Sequence, residues 1–267
     1  MVLSLPVIAY GQTAEVYAYG DARVLKLFRE GIPSALAEDE YRICECVHEA
    51  GIATPEAVAR IEIEGRQGIV FQRIAGRSML QAIMHGALSA DEAGAQMAAL
   101  HAGVHRLDAP AIPSQRGILA GRIREAPLLT EQEKRAIAER MARLPEDAKL
   151  CHGDFHPDNV LVSDSRAWII DWMTGTSGHP AADAARTMLL LRFGSMPPET
   201  PADVVALINR MRQRLLDAYT GHYLRQSGLN RADIEEWFVP LAAARLVEWL
   251  PDEEKRELVR FVRDSLA

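Results

Sequence analysis

Residues 151–172, CHGDFHPDNVLVSDSRAWIIDW, hold three polar side chains that suit one kind of chemistry. Asp154 and Asn159 stand five residues apart, and Asp171 follows at the end of a predicted β-hairpin. A carboxylate can accept the proton of an attacking hydroxyl, and carboxylate and amide oxygens are the ligands that Mg²⁺ prefers. Asp154 is therefore the predicted catalytic base, and Asn159 and Asp171 are the predicted metal ligands, of a phosphoryl transfer.

The spacing of these residues is that of a known catalytic loop. His152, Asp154 and Asn159 occur in the order and at the distances of the H-R-D-x-x-x-x-N loop of protein kinases, and Asp171 follows like the metal-binding Asp of D-F-G. Four polar positions agree in order and in context. The pattern therefore favours a phosphotransferase.

Two other interpretations of this segment are possible. His152, Asp154 and His156 could bind a transition metal, but Gly153 and Pro157 interrupt the strand that would align them, and no further Cys/His cluster is present. Ordinary loop residues would leave the ordered Asp, Asn and Asp unexplained. We expect His152 itself to support the loop rather than to bind a ligand.

The motif HGDFHPDN followed by IIDW resembles the signature of the aminoglycoside phosphotransferase and choline kinase-like family. The resemblance implies a protein-kinase-like fold, phosphorylation of small molecules, and the base and magnesium roles of Asp154, Asn159 and Asp171. Two features depart from protein kinases: residues 10–16 lack G-x-G-x-x-G, and Trp-Met replaces Phe-Gly after Asp171. This family tolerates both departures.

Residues 178–183, GHPAAD, resemble the start of the helix that follows the metal loop in the family, and Asp183 ends this segment. It could be a catalytic acid. Its position in the first turn of a predicted helix favours instead a buried tie to the backbone of the catalytic loop.

One lysine is a predicted contact of the nucleotide. Only four of the 30 Lys and Arg residues are lysines, and Lys26, in the apolar strand RVLKL, is the only one before Lys134. A chain that otherwise uses arginine suggests that this ammonium is needed as a point charge, and it resembles the kinase lysine that pairs with the ATP phosphates. A lysine that snorkels from a strand edge is the alternative. Among Glu38, Glu40 and Glu45 of the next predicted helix, we expect Glu40 to be its partner.

Two more segments are predicted to bind the cofactor, which is ATP, or GTP, with Mg²⁺. Residues 10–16 would contact phosphate through the backbone amides of a tight turn, with Thr13 adding a hydroxyl. Residues 71–74 resemble the family's adenine-binding linker, which reads the base through its backbone. Gln72 and Ile74 are therefore predicted cofactor contacts, Ile74 through its N–H.

Composition and charge restrict the class further. The chain has 267 residues, 48% hydrophobic and 25% charged, which is typical of a globular protein with about two domains or lobes. The net charge of −7 argues against nucleic acid and anionic membranes as partners. Cys44, Cys46 and Cys151 suggest a reducing compartment, and residues 1–13 do not look like a signal peptide. We expect a cytoplasmic protein; the sequence leaves its oligomeric state open.

The elements that must position these residues form an α+β pattern. Strands are predicted within residues 3–28, at 56–63 and at 67–72, and helices at 35–50, 79–85, 89–107, 131–144 and from 181 onward. In the first helix, Leu36, Tyr41, Ile43 and Val47 are expected to face inward. We predict a bilobal protein-kinase-like fold, with a β-rich nucleotide-binding lobe over residues 1–74 and a mainly helical lobe over residues 75–267 that carries the catalytic loop and the acceptor site.

The acceptor is predicted from local charge. Residues 233–267 contain nine acids and five bases, and a solvated helix face accounts for part of this excess. The family resemblance puts these helices beside the acceptor, and a cleft of one sign concentrates the opposite sign. We expect a small hydroxyl compound with a positive amine, aminoglycoside-like or an amino sugar, contacted by Glu236 and Glu248. A choline, ethanolamine or homoserine-type kinase and a non-catalytic nucleotide-binding regulator are the alternatives.

Overall fold

The computed structural model describes residues 5–109, 112–163, 166–193 and 200–266. The strands are β1 (Val7–Tyr10), β2 (Ala14–Ala18), β3 (Arg23–Phe28), β4 (Ala57–Ile63), β5 (Arg66–Gln72), β6 (Arg77–Ser78), β7 (Lys149–Cys151), β8 (Val160–Val162), β9 (Ala167–Ile169) and β10 (Thr176–Gly178). The helices are α1 (Ser34–Glu49), α2 (Met79–Met84), α3 (Ala90–Val104), α4 (Gln115–Glu125), α5 (Glu131–Ala142), α6 (Pro180–Arg192), α7 (Ala202–Ser227), α8 (Arg231–Glu235), α9 (Phe238–Arg245) and α10 (Asp252–Leu266).

The chain forms two compact units. The first unit consists of Met1–Gln81 and Asp158–Gly175, and the second of Ala82–Pro157 and Thr176–Ala267. The first is built mainly on β-sheet and the second mainly on helices, which confirms the predicted α+β class. The predicted lobe boundary after residue 74 stays a prediction, and residues 158–175 pack with the N-terminal part of the chain.

The main sheet of the first unit is antiparallel, in the order β1-β2-β3-β5-β4. Three of its strands are those predicted within residues 3–28. Because successive side chains of a strand point to opposite faces, the buried Leu25 and Leu27 of β3 join the core with Tyr17 and Val70, and Lys26 lies on the other face. The sheet thus fixes the direction of the lysine.

Helix α1 buries a stripe that contains a carboxylate. Ile43 and Val47 are buried as predicted, together with Glu40. The expectation for Leu36 was wrong, because Leu36 lies off this stripe and is exposed, and Tyr41 is only partly buried. A buried glutamate on a helix requires a charged or hydrogen-bonding partner.

The predicted metal ligands flank a second sheet of the first unit, β6-β8-β9: Asn159 directly precedes β8, and Asp171 follows β9. The β8–β9 hairpin brings Ile170 back to Asn159, and the Ile170 N–H donates to the Asn159 carbonyl at 3.0 Å. Trp172, which follows Asp171, is fully buried, and its indole N–H donates to Thr54 Oγ1 at 3.2 Å. Both ends of the hairpin are therefore anchored.

Three helices of the second unit, α3, α5 and α6, begin within one residue of the predicted positions. Ser89 and Thr130 cap α3 and α5 in capping boxes. Helix α4, capped by Ser114, was not predicted. Its sequence contains Gly117 and Gly121, which disfavour a helix, and its apolar residues do not follow a clear helical period.

Two further observations concern the thiols and the helices. The three cysteines are free thiols, as expected. None of the helices within the described ranges combines the length and the apolar content needed to cross a bilayer.

Helices α3 and α7 approach closely at Gly94. A Cβ atom built on Gly94 would lie 2.7 Å from Ala218 Cβ, 2.7 Å from Tyr219 N and 2.9 Å from Leu215 O. Two of these three atoms belong to backbone, so the clash could be relieved only by separating the helices. Gly103, on the same helix, has no atom within 4 Å of its built Cβ.

We expect Gly94→Ala to lower the free energy of unfolding by about 1–3 kcal/mol, because it overpacks this contact. Gly103→Ala is the matched control and should be neutral or stabilising by up to about 1 kcal/mol, since alanine favours a helix. Chemical denaturation measures both. Equal stability of the two variants would contradict the close packing of α3 on α7.

Candidate active site

The loop after β7 presents Asp154. Gly153 has φ of 78°, a left-handed conformation that glycine adopts without strain, and the Asp154 N–H donates to Nδ1 of His152 at 3.2 Å. Arg186 Nη2 donates to Asp154 Oδ1 at 3.1 Å, and His156 Nε2 lies 3.5 Å from Oδ2. Each oxygen of the predicted base therefore faces a basic side chain.

The Asp154 carboxylate is ionised at neutral pH. Burial opposes the charge, but the hydrogen bond from His156 and the charge of Arg186 outweigh it and hold the pKa of Asp154 well below its usual range. The side chain is still 31% exposed. An ionised, accessible carboxylate can accept a hydrogen bond from an incoming hydroxyl and orient it.

Asp183, in the first turn of α6, fastens this loop. Its Oδ2 accepts a hydrogen bond from the His152 N–H at 2.6 Å, and its Oδ1 accepts one from the Gly153 N–H at 2.8 Å. The Asp183 side chain is fully buried. The predicted tie to the loop backbone is confirmed, and such a carboxylate is not placed to act on a substrate.

His101 of α3 and His105, which caps the end of that helix, complete the environment of Asp183, and the sequence analysis missed them. Nε2 of His101 and of His105 lie 2.9 Å and 3.1 Å from Asp183 Oδ2, while their Nδ1 atoms lie 2.7 Å from the hydroxyls of Tyr219 and Tyr223, respectively. Because an ionised carboxylate only accepts hydrogen bonds, each Nε2 carries a proton. Burial lowers the pKa of His101, so its ring is neutral and the Tyr219 hydroxyl donates to its Nδ1. The spacing of four residues on a predicted helix was the available signal.

The same geometry decides between hydrogen bonding and metal binding. His101, His105 and Asp183 place one possible ligand atom each within 4.8 Å of the others. The hydrogen bonds just described already use these atoms, so the cluster is complete as a buried polar network. The transition-metal alternative for His152 gains no support, because its Nδ1 accepts the Asp154 N–H and its buried ring packs edge-on against Phe155.

The first unit contains the predicted lysine pair. Lys26 Nζ donates to both carboxylate oxygens of Glu40, at 2.7 and 2.9 Å, and to Asp171 Oδ1 at 2.8 Å. The Lys26 side chain is 12% exposed and that of Glu40 is 1% exposed. The predicted Lys26–Glu40 pair is confirmed, and the alternative of a lysine that snorkels into solvent is wrong.

Charge keeps Lys26 protonated and Asp171 near it. Burial disfavours the ammonium, but the charges of Glu40 and Asp171 outweigh burial and raise the pKa of Lys26. Asp171 has φ of 64°, a left-handed conformation that Asp and Asn adopt more readily than other side chains. Its side chain is 43% exposed, so a ligand can reach it.

The other predicted cofactor residues also belong to the first unit. Thr13 lies within a tight turn in which the Gly11 N–H donates to the Ala14 carbonyl at 2.8 Å, and the Thr13 hydroxyl lies 3.8 Å from Met173 Sδ. Gln72 ends β5, and Ile74 follows it, partly buried. Their contacts with a nucleotide stay predictions.

The two predicted acceptor carboxylates lie in the second unit and are paired with arginines. Glu236 is half exposed and lies 3.3 Å from Arg140 Nη2. Glu248 lies 2.8 Å from Arg186 Nη1, and Arg122 and Arg245 also approach it. The neighbouring Trp249 is 86% exposed.

A strand lysine paired with a glutamate of the next helix, in a chain that also has a loop of the form His-x-Asp-x₄-Asn, is typical of a protein-kinase-like phosphotransferase. The model of the phosphotransferase enzyme family matches residues 4–237, and the chain belongs to this family. No curated protein sequence matches it. The resemblance stated from the motif is confirmed.

Solved structures share the fold. An aminoglycoside-3'-phosphotransferase of type VIII is 19% identical, with 90% of this chain and 91% of that chain covered and a TM-score of 0.61. An aminoglycoside phosphotransferase from Streptomyces rimosus, in complex with ADP and streptomycin, is 16% identical (86% and 90% covered, TM-score 0.59). A choline/ethanolamine kinase family protein from Mesorhizobium loti is 18% identical (97% and 92%, TM-score 0.52). The predicted protein-kinase-like fold is therefore confirmed.

The buried histidine network makes folding stability depend on pH. Burial, assisted by His105, lowers the pKa of His101 to about 3, although Asp183 opposes this shift. The unfolded chain binds a proton at His101 near pH 6.5, whereas the folded chain does not, so stability is full above that pH and falls as the pH drops toward 3.

We expect the free energy of unfolding to decrease between pH 6.5 and 4, with His101 contributing up to about 1.4 kcal/mol per pH unit. His101→Gln should reduce this slope by the contribution of about one proton, because the variant has no imidazole at this position to bind it in the unfolded chain. His85→Gln, at an exposed position, is the matched control for the loss of one imidazole. Denaturant titrations at several pH values measure the effect, and identical slopes for all three proteins would contradict it.

Proposed function

We propose that this protein is a small-molecule kinase that transfers the γ-phosphoryl group of ATP, or of GTP, to a hydroxyl of a small acceptor. The observation that carries the proposal is the buried charge cluster of Lys26, Glu40 and Asp171. A lysine between two carboxylates, one of them exposed, suits a site that must receive phosphates and a cation. The ADP present in one structure of the same fold supports the nucleotide.

The hydrogen bonds of Lys26 suggest how the nucleotide is received. The ammonium has three protons, and Glu40 accepts two of them while Asp171 accepts the third. A nucleotide phosphate can replace Asp171 as the third acceptor, and Glu40 keeps the ammonium in place. The proposed further contacts of the nucleotide are Thr13 with the turn that contains it, Gln72 and Ile74.

Asn159 and Asp171 are the proposed holders of Mg²⁺. An amide and a carboxylate supply hard oxygen donors, which fit this cation and would not select a soft metal. When bound, the ion would neutralise charge on the transferring phosphoryl group. Asp171, once replaced by phosphate at Lys26, has an oxygen to offer.

Asp154 is the proposed base. Its lowered pKa makes it a weak proton acceptor in the ground state, so its first task is to orient the acceptor hydroxyl. It takes the proton as the bond to phosphorus forms and the hydroxyl becomes acidic. Catalysis then consists mainly of positioning and charge neutralisation.

The acceptor is proposed to be cationic. The acidic excess of residues 233–267 and the exposed ring of Trp249, which can stack on a cation, support this choice. One neighbour holds streptomycin and another belongs to the choline/ethanolamine kinase family, and all three compounds combine a hydroxyl with a positive nitrogen. Glu236 stays a predicted contact, since its exposed pair with Arg140 can open to a ligand.

The deciding experiment measures ADP release by the purified protein with ATP or GTP, Mg²⁺ and a panel of acceptors. The panel contains aminoglycosides, amino sugars, choline, ethanolamine, homoserine and macrolides. Acceptor-dependent ADP release supports the kinase, and the best acceptor identifies its class. Tight MgATP binding without turnover of any acceptor would favour the non-catalytic regulator, and a neutral best acceptor would contradict the cationic assignment alone.

We expect Asp154→Asn to keep the fold and MgATP binding but to lower kcat by about 10²-fold or more, because a positioned base contributes about 10²–10⁴. Asp108→Asn, which removes an exposed carboxylate paired with Lys149, is the control. Steady-state kinetics and thermal melting provide the comparison. A kcat near that of the parent, at unchanged melting temperature, would remove Asp154 from the base role.

For Asp171→Asn we expect at least about a tenfold loss of Mg²⁺-dependent ATP affinity, because a carboxylate bound to the cation is replaced by a neutral amide. Asparagine tolerates the left-handed backbone at this position, so the change tests charge rather than strain. Asp39→Asn on α1, exposed and paired with Arg42, is the control. Calorimetric titration with and without Mg²⁺ decides, and parental affinity in Asp171→Asn would refute the assignment.

A further inference from the structure

Three side chains of the second unit form a continuous chain of charge, which we name the arginine relay: Asp154, Arg186 and Glu248. Arg186 Nη2 donates to Asp154 Oδ1 at 3.1 Å, and Nη1 donates to Glu248 Oε1 at 2.8 Å. Nε of the same guanidinium donates to the Gly153 carbonyl at 3.3 Å. Arg186 is thus held from three sides, and its side chain is 10% exposed.

The relay fixes the direction of the Asp154 side chain. A guanidinium is a rigid planar fork, so contacts at two of its nitrogens determine where the third can donate. With Glu248 and Gly153 holding two positions, Nη2 is aimed at one oxygen of Asp154. A lysine would supply the charge without this direction.

Glu248 is itself held in place by other arginines. Arg122 Nη1 and Arg245 Nε each lie 3.4 Å from its oxygens, and Arg245 Nη2 donates to Glu254 at 2.6 Å. Three guanidinium groups therefore share the Glu248 carboxylate. A carboxylate in this state is poorly suited to bind the ammonium of an acceptor, which was its predicted role.

We propose that Arg186 and Glu248 are positioning residues that orient the Asp154 carboxylate, so that Glu248, just beyond α9, controls turnover through Arg186 and not by touching the acceptor. This inference rests on the proposed function, in which Asp154 is the base. It differs from an acceptor-binding role for Glu248 in what it predicts for kcat and KM.

The first test is kinetic and uses the full chain. Arg186→Gln and Glu248→Gln should each lower kcat about tenfold or more, with the KM values for nucleotide and acceptor changed less than about twofold, because positioning acts on the transition state. Arg186→Lys should recover only part of the loss. Glu235→Gln, which breaks an exposed pair with Arg231, is the matched control.

A second readout does not depend on turnover. The groups that face Asp154 are His152, His156 and Arg186, with the charge of Arg122 behind Glu248. Carboxyl ¹³C shifts, with the Asp154 signal assigned by its loss in Asp154→Asn, should show protonation in Arg186→Gln at a pH about one to three units above that of the parent. In Glu248→Gln the pH at which Asp154 is protonated should not rise, since among the residues that the structure describes Arg186 then keeps Asp154 as its one carboxylate partner.

The possible results distinguish a failure of the proposed kinase function from a failure of the arginine relay. A parent protein that turns over no acceptor contradicts the proposed function, while the ¹³C titration still tests the coupling of Arg186 to Asp154. If the parent is active, a higher acceptor KM with unchanged kcat in Glu248→Gln would show that Glu248 binds the acceptor, and would contradict the arginine relay. An unshifted Asp154 titration in Arg186→Gln would overturn it as well. If Arg186→Gln fails to fold, Arg186→Lys and Glu248→Gln decide.

Discussion

The buried carboxylate of Asp183 fixes the position of the loop that carries Asp154. Burying an isolated charge is costly, and Asp183 is tolerated because four N–H groups converge on it, two from the loop backbone and two from His101 and His105. These donors come from different parts of the chain. Any displacement of the loop from α3 or α6 would leave a charge without its donors, so the network restricts the loop to one position.

The first unit applies the same principle to a different task. Glu40 is buried as deeply as Asp183 but is compensated by an ammonium, which also contacts the exposed Asp171. Of the two carboxylates that pair with Lys26, Glu40 is buried and Asp171 is exposed. The second unit fixes its loop with hydrogen bonds to a buried anion, whereas in the first unit the third acceptor of the lysine is an exposed carboxylate.

The sequence predicted those features that residue type and spacing encode locally. Lys26 stood out because lysine is scarce in this chain, and Glu40 followed from its place on the next helix; the hairpin that carries Asn159 and Asp171 followed from the turn pattern. The features that were missed depend on packing. Helix α1 turns Glu40 inward to meet Lys26, and this orientation leaves Leu36 exposed. Nothing in the sequence near His101 indicates its contact with Tyr219, which is 118 residues away. Long-range polar contacts of this kind have no local signature.

The exposed indole of Trp249 has a practical consequence. Trp172 and Trp237 are fully buried, whereas Trp249 is 86% exposed and adjoins Glu248 in the sequence. A ring surrounded by water fluoresces at longer wavelength than a buried one and is accessible to dissolved quenchers such as iodide. The emission of the native chain therefore contains a built-in optical probe of the segment beside Glu248, which can be followed in solution without attaching a label.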